Sequence, residues 1–422
     1  MKEMSGRSGV PAATGSLKSR RDAAPTGLAR EILHRAAILA KITDVPGTIT
    51  RTYRSPAMKR ANAQVAIWMR AAGLTVREDP AGNLIGRRAS KNPNAKTFIL
   101  GSHLDTVRDA GKYDGILGVL TAIAVVKELP ALPFHIEVYA FADEEGLRYS
   151  TGYLGSGAVS GLLTARDLKR KDAAGIPLGQ LIRNLNACRC NPRDVLGYAE
   201  VHIEQGPVLD KRRLAVGVVK AIAGQTRAVV TFTGQAGHAG TIPMKMRRDA
   251  LCAAAGFIFV SETIARKEPG LVATVGTVTV LPGAANVIPG EVVCSLDVRH
   301  ADDRIRRRAV AEMLGVAQIF GKQRRVLVRW EKTADVSAVT CDAGLTRALK
   351  KSTRKYQRVV PEVVSGAGHD AVALAAITPV AMLFVRCRDG VSHNPAESVR
   401  VQDVAVAIAT LKDFLLQILV RR

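Results

Sequence analysis

Aromatic residues are scarce, at 4% of the chain. That weighs against a nucleic-acid binder, because single strands are held by bases stacked on aromatic rings. Acidic residues are also in deficit: 37 Asp and Glu stand against 61 Lys and Arg, a formal net charge of +24. The excess is spread along the whole chain. Its densest run, Arg304, Arg306, Arg307 and Arg308, falls in a helical pattern where a solvated face is the ordinary outcome. A basic surface speeds the capture of small anions, so a small anionic ligand is expected and a nucleic-acid partner is not.

Long apolar runs are missing too. The uncharged apolar stretch Gly115 to Val126 is too short to span a bilayer, so no membrane partner is expected. Residues 1–30 contain no hydrophobic core segment of the secretory kind. Residues 1–28, with Arg7, Lys18, Arg20 and Arg21 among Ser and Gly, read as a disordered basic tail with some transit-peptide character. The six cysteines (188, 190, 252, 294, 341 and 387) are scattered, which excludes a disulfide framework and points to a reducing, cytoplasmic setting. What the chain has instead is length and apolar content: 422 residues, 47% hydrophobic, suffice for two or three folded domains.

The most informative stretch is GSHLDTVRDAGKYDGILG, Gly101 to Gly118. It follows the apolar run Phe98-Ile99-Leu100, a buried strand by pattern, which ends at His103 and Asp105. Asp114 follows in a glycine-containing turn, and a second apolar run, Ile136 to Ala142, ends in Asp143, Glu144, Glu145 and Gly146. Two strands of one sheet would deliver imidazole and carboxylates to one edge. Ligands of open α/β sheets lie beyond the carboxyl ends of the strands, so this edge reads as the floor of a metal site.

Taken in order, Ser55-Pro56 predicts a capped helix start, and Gly73 closes the helix. Leu74–Val76 and Asn83–Ile85 read as strands and Ile116–Glu128 as a crossover helix. The alternation up to His202 implies an α/β fold with a mostly parallel, helix-covered sheet. After residue 221 the rhythm changes to strand (Arg227–Thr233), helix (Met246–Ile264), strand (Leu271–Leu281), strand (Glu291–Arg299), helix (Asp302–Phe320) and strand (Arg325–Trp330). That βαββαβ order is the split, ferredoxin-like α+β pattern. In its third strand Val292, Cys294, Leu296 and Val298 share one face, leaving Asp297 and Arg299 on the other. The expected organisation is a discontinuous metal-bearing α/β domain (29–221 and 334–422) with an inserted α+β domain (222–333). Gly344–Tyr356, Ala381–Val385 and Val404–Val420 complete the larger domain as helix, strand and helix.

Five of the eight histidines sit in glycine-, proline- or acid-rich loop motifs: GSHLD (His103), HIEQGP (His202), GQAGHAG (His238), SGAGHDA (His369) and SHNPAE (His393). Imidazole and carboxylate without thiolate suit Zn²⁺, Mn²⁺ or a similar divalent ion. A pair of ions needs a carboxylate between them, for which Asp114 is the candidate. Asp105 is expected to accept the second N–H of His103 and fix its tautomer. Of the adjacent Glu144 and Glu145, one would ligate metal and the other take a proton from metal-bound water.

Together and in this order, these motifs resemble the amidase/hydantoinase/carbamoylase branch of the M20 metallopeptidase clan, over about Arg51 to Val404. The resemblance implies a metal-bearing α/β domain with a smaller lid that dimerises, hence a homodimer. It implies two divalent metal ions per subunit (Mn²⁺ or Zn²⁺) held by His103, Asp114, Glu145, His202 and His393, with Asp114 bridging. Glu144 would be the general base, Asp105 would orient His103, and His369 would match a family active-site histidine. Gln205, His238, Asn286 (in GAANVIPG), Arg299 (in LDVRH) and Arg227 (in GQTR) would meet the substrate. His238 and Asn286 would donate to a developing oxyanion, and Arg299 would grip the substrate carboxylate. In some relatives the counterpart of His238 reaches into the partner's site.

The implied activity is hydrolysis of a linear ureido C–N bond in a small anionic substrate. LTVREDPAGNLIGR, GQAGHAGTIPMKMRRDAL and MLFVRCRDGVSHNPAE lean toward the members that act on allantoate, releasing ureidoglycine, ammonia and carbon dioxide. N-carbamoyl-L-amino acids, and ureidopropionate after them, are the alternatives. An aminopeptidase of the wider clan would share the metal floor, but not HIEQGP together with SGAGHDA and SHNPAE. The chain departs from the family at Arg108, where a proline is common.

Overall fold

In the computed structural model the structure is described for residues 25–418. Nine strands form the main sheet among them, in the order Thr75–Glu78, Leu84–Arg88, His135–Phe141, Thr97–His103, Val195–Ile203, Val380–Val385, Val216–Ile222 and Val339–Thr340, with Glu362–Ser365 also paired to Val216–Ile222. The four central strands, from His135–Phe141 to Val380–Val385, are mutually parallel. The strands flanking them on either side run antiparallel, so the sheet is parallel at its centre and mixed at its edges.

Every residue of Thr97–His103 and of His135–Phe141 is buried, because helices and loops cover both faces. On one face the crossover helix Ile116–Lys127 lies against the centre, with every residue from Ile116 to Val126 buried. The helices Thr26–Ala40 and Val401–Ile418 pack beside it, and Phe414 meets Phe98 edge-on at 5.9 Å. The other face carries a core rich in rings, including Tyr139, Phe141, Tyr198 and Phe384. An uncharged run too short for a membrane thus becomes the most deeply buried helix of the fold, and no helix of the described residues is long and apolar enough to cross a membrane.

Local chemistry sets several boundaries. The Ser55 hydroxyl accepts the Met58 N–H, and Pro56 opens the helix Pro56–Ala71. The helix Thr26–Ala40 begins inside the stretch expected to be disordered tail, and Ala29, Ile32, Ala36 and Leu39 bury its inner face. The remainder of that expected tail, residues 1–24, lies outside the described residues.

Residues 224–336 build a second layer with strand order Val278–Leu281, Glu291–His300, Gly224–Thr233 and Leu327–Val336, all antiparallel. Two helices, Ala250–Lys267 and Asp303–Arg324, cover one face, capped by the side chains of Asp249 and Asp302. Their core is separate from that of the main sheet and contains Phe232, Phe257, Leu296, Met313 and Val328. Glu291–His300 alternates strictly, with Val292, Cys294, Leu296 and Val298 buried. Two expectations need correction. Leu271–Leu281 is not one strand but two, Val272–Thr274 and Val278–Leu281, because the Ser295 hydroxyl takes the Gly276 and Thr277 N–H groups at 3.1 and 2.9 Å. The final strand runs to Val336, and the buried guanidinium of Arg306, paired with Asp303 and Asp335, ties its end to the helix.

Candidate metal centre

His103 ends one central strand and His202 lies near the end of its parallel neighbour, so sheet pairing alone brings the two rings to 5.8 Å, stacked. Asp114 faces them from the turn before Ile116–Lys127. Gly115 makes that turn possible: its φ is +69°, and a side chain there would stand 2.5 Å from the His103 ring. Asp114 Oδ1 lies 3.2 Å from His202 Nε2 and 4.0 Å from His103 Nε2. Asp114 Oδ2 lies 3.1 Å from His393 Nε2, which is 3.4 Å from Glu145 Oε1. Among the described residues four candidate ligand groups have atoms within 4.8 Å of one another; Asp114 belongs to two of them, His103–Asp114–His202 and Asp114–Glu145–His393, and the others are His103–Glu144–Glu145 and Glu200–His202–His369. Asp143, Gln205 and His393 all have φ between +54° and +56°. Left-handed backbone at non-glycine residues is a strain of about 1–3 kcal/mol each, typical of functional loops.

A divalent cation fits this donor set. Backbone carbonyls, Asp105 O at 3.0 Å and Ile203 O at 2.9 Å, take the Nδ1–H groups of His103 and His202. With Nδ1 so held, a neutral ring would turn its Nε2 lone pair toward carboxylate oxygen, an arrangement that needs positive charge there, from a cation or from a proton on the ring. The titration behaviour agrees. Burial opposes a charge on His103, but Asp105, Asp114, Glu145 and Asp370 outweigh it and push its pKa up to about 9. Hydrogen bonds to Asp114 and Glu145 push His393 up to about 10. Burial works against ionisation of Asp114, yet the three histidines hold its carboxyl well below the usual range. Glu144 moves the other way: burial, then Glu145, Asp370, Asp105 and Asp114, raise it well above an ordinary glutamate. Its Oε2 stands 3.9 Å from His103 Nε2, at the rim of the cluster.

The supports differ from expectation in one respect. The Asp105 carboxylate lies 3.8 Å from His103 Nδ1, and it is the residue's backbone carbonyl that takes the ring N–H. The carboxylate accepts instead the N–H groups of Glu144 (3.2 Å) and Glu145 (3.1 Å), and so aims the two acids. Glu397, in the same SHNPAE motif as His393, was not singled out by sequence. Its carboxylate accepts the backbone N–H groups of Tyr113 (2.6 Å) and Asp114 (3.2 Å) and the Ser392 hydroxyl (3.1 Å), joining two loops distant in sequence. Glu200, two residues before His202 on the same strand face, was also missed; a period-of-two reading would have found it. It accepts from Ser102, Tyr198 and the Ala371 N–H. His369 is fully buried behind His202, with ring centroids 4.5 Å apart, and its Nε2 lies 2.7 Å from the Ser365 hydroxyl. It backs the cluster and does not face the cavity.

In front of the cluster lies a cavity of about 450 Å³ lined by His103, Asp114, Glu144, Glu145, His202 and His393, and on the other side by Gln205, Gln225, Arg227 and Arg299. Gln205 Nε2 donates to Asp114 Oδ2 (3.0 Å) and the Ser392 hydroxyl (3.2 Å). The side fork of Arg299 is occupied, Nε and Nη2 reaching Asp297 at 2.9 and 3.0 Å, while Nη1 reaches Gly366 O at 2.7 Å. His238 and Asn286 stand together elsewhere: Gly237–His238 pairs with Val287–Ile288, and Asn286 O accepts the Ala239 N–H at 2.9 Å. Both are exposed, and neither lines this cavity.

Known proteins resemble this chain over most of its length. The model of peptidase family M20/M25/M40 matches residues 99–417. An allantoate deiminase of Glycine max is 40% identical over 441 aligned positions, covering 94% of this chain and 91% of the relative. An N-carbamoyl-L-amino acid amidohydrolase of Geobacillus stearothermophilus is 40% identical, covering 86% and 92%. The crystal structure of a hydantoinase/carbamoylase-family amidase from Burkholderia multivorans superposes with a TM-score of 0.87 at 32% identity, covering 93% of this chain and 98% of that one. The chain belongs to peptidase family M20/M25/M40.

Proposed function

We propose that this M20-family chain is a metal-dependent amidohydrolase that cleaves a ureido C–N bond of allantoate, giving ureidoglycine, ammonia and carbon dioxide. The observation that carries the reading is the pair of ligand groups sharing Asp114, with Glu144 beside them, in one cavity with Arg227 and Arg299. His103, Asp114 and His202 would hold one divalent ion and Asp114, Glu145 and His393 a second, either Mn²⁺ or Zn²⁺. Such ions, when bound, polarise a carbonyl and lower the pKa of water toward neutrality.

Glu144 takes the proton of the attacking water and returns it to the departing nitrogen, a role suited to a carboxylate with a raised pKa. Asp105 holds Glu144 and Glu145 by their backbone amides. Arg227 offers the substrate carboxylate its open terminal nitrogens, with Arg299 held beside it by Asp297 and Gly366 O, and Gln205 orients the ureido group beside Asp114. The 222–333 layer serves as lid and dimerisation domain. His238 and Asn286, which stand outside this chain's own cavity, serve the cavity of a second copy in a homodimer. A cytoplasmic location goes with the six free cysteines.

Hydrolysis of N-carbamoyl-L-amino acids is the second reading, favoured by equal identity to the Geobacillus relative. The test is ammonia release by purified protein from allantoate and from N-carbamoyl-L-amino acids, with chelator and with added Mn²⁺. Chelator-sensitive, Mn²⁺-restored release from allantoate is expected. Turnover of the carbamoyl amino acids alone selects the second reading, and turnover of neither refutes both.

A further inference from the structure

Gln225, Arg227, Asp297 and Arg299 form a square on the uncovered face of the small sheet. Asp297 is the cross-strand partner of Arg227, and Arg299 that of Gln225. One carboxylate binds the other three: Asp297 Oδ2 accepts from Gln225 Nε2 (2.7 Å), Arg227 Nε (3.1 Å) and Arg299 Nη2 (3.0 Å), and Oδ1 from Arg299 Nε (2.9 Å). Gly366 O takes Arg299 Nη1, so this guanidinium is engaged on three sides. Arg227 gives only its Nε. Among the described residues its terminal nitrogens have no acceptor, and its side chain is 55% exposed.

Side by side, two arginines would offer two positive charges and two planar forks, enough for a dicarboxylate. With Asp297 between them, the group has a net charge of +1 and one open fork. We propose that Asp297 is a specificity-determining residue that restricts the cavity to ureido acids with a single carboxylate and turns away ureido dicarboxylates. The inference rests on the ureido-hydrolase reading of the neighbouring cluster. It concerns Asp297, which touches no member of that cluster, and it adds a charge rule for the substrate class. A second carboxylate entering the wild-type cavity would find its counter-charge already cancelled and would lose solvation without a partner.

The test compares kcat/KM for N-carbamoylglycine and N-carbamoyl-L-aspartate in the metal-loaded enzyme and in D297N. The wild type is expected to favour the monocarboxylate. D297N is expected to shift the ratio toward the dicarboxylate by about tenfold or more, mainly through KM, a change of ~1.4 kcal/mol. The double variant Q225E/D297N returns the negative charge to the square with amide and carboxylate exchanged, and is expected to restore the wild-type ratio. Q225E alone, which brings the square to zero charge, is expected to raise KM for N-carbamoylglycine about tenfold and serves should D297N not fold. A parallel fall for both substrates in D297N with an unmoved ratio, or failure of the double variant to restore it, overturns the proposal in favour of a purely structural Asp297. Calorimetric titration with propionate and succinate reads the same selection without turnover. A chain that binds propionate over succinate, with the order relaxed in D297N, supports the charge rule even if it hydrolyses neither ureido acid, an outcome that would count only against the proposed activity.

Discussion

Replacing Asp105 by asparagine separates two jobs that a carboxylate in this place can do. If its task is to orient His103, the variant should bind metal poorly. The geometry assigns it a different task, because the His103 N–H is held by the backbone carbonyl of residue 105, which survives the substitution. What the variant loses is the charged acceptor of the Glu144 and Glu145 amides, at 3.2 and 3.1 Å. A hydrogen bond to a charged group contributes about 1.5–3 kcal/mol. Asparagine keeps one acceptor oxygen and turns an NH₂ toward the second amide, so one such bond is lost. A loss of about 2.7 kcal/mol in holding the base corresponds to about a hundredfold in rate. Asp105→Asn is therefore expected to lower kcat about a hundredfold at saturating metal, with metal affinity within about tenfold of wild type. Chelator competition measures the affinity, and steady-state ammonia release measures the rate. Metal affinity lowered a hundredfold with kcat at saturating metal unchanged would refute the assignment and return Asp105 to the imidazole.

Glu144→Gln removes the proposed proton acceptor but none of the five proposed ligands, so turnover should fall about a thousandfold while elemental analysis finds unchanged metal content. His393→Ala should instead lower the metal content, because Asp114 and Glu145 are then left without their shared imidazole. Phe257→Ala empties a fully buried site against Phe232, 5.7 Å away, in the core of the small layer. It should cost about 3–5 kcal/mol in a denaturant melt. Lys332 and Arg306 hold the Asp335 carboxyl down at about 2. A depressed folded-state pKa contributes stability that is complete above the unfolded value, about 3.9, and lost as pH falls through the folded one. The difference in melting temperature between wild type and Asp335→Asn should therefore shrink from pH 5 toward pH 2, and a constant difference would show that the ion pair does not carry it.

Much of the architecture is legible in local pattern because local physics produces it. Ser55-Pro56 starts a helix through its own hydroxyl, and Val292, Cys294, Leu296 and Val298 must share a face in any strand. The second layer shows its strand order in the rhythm of its segments, whereas the break at Gly276 depends on Ser295, a residue of another strand. The start of Thr26–Ala40 escaped notice because its apolar spacing lies next to a basic, low-complexity stretch.

Alone, the sequence determined the donor chemistry of the site: imidazoles and carboxylates without thiolate, each at the end of a recognisable strand or in a glycine-bounded turn. Those identities depend on residue type and near neighbours. Only the tertiary structure decided how the donors divide the labour. Asp114 faces both histidine groups, Glu397 binds the Asp114 loop to the His393 loop across 283 residues, and Asp297 occupies Arg299, the arginine expected to grip the substrate carboxylate. Hydrogen bonds and Coulomb forces depend on distance in space, and a linear pattern holds no record of which distant side chain arrives first.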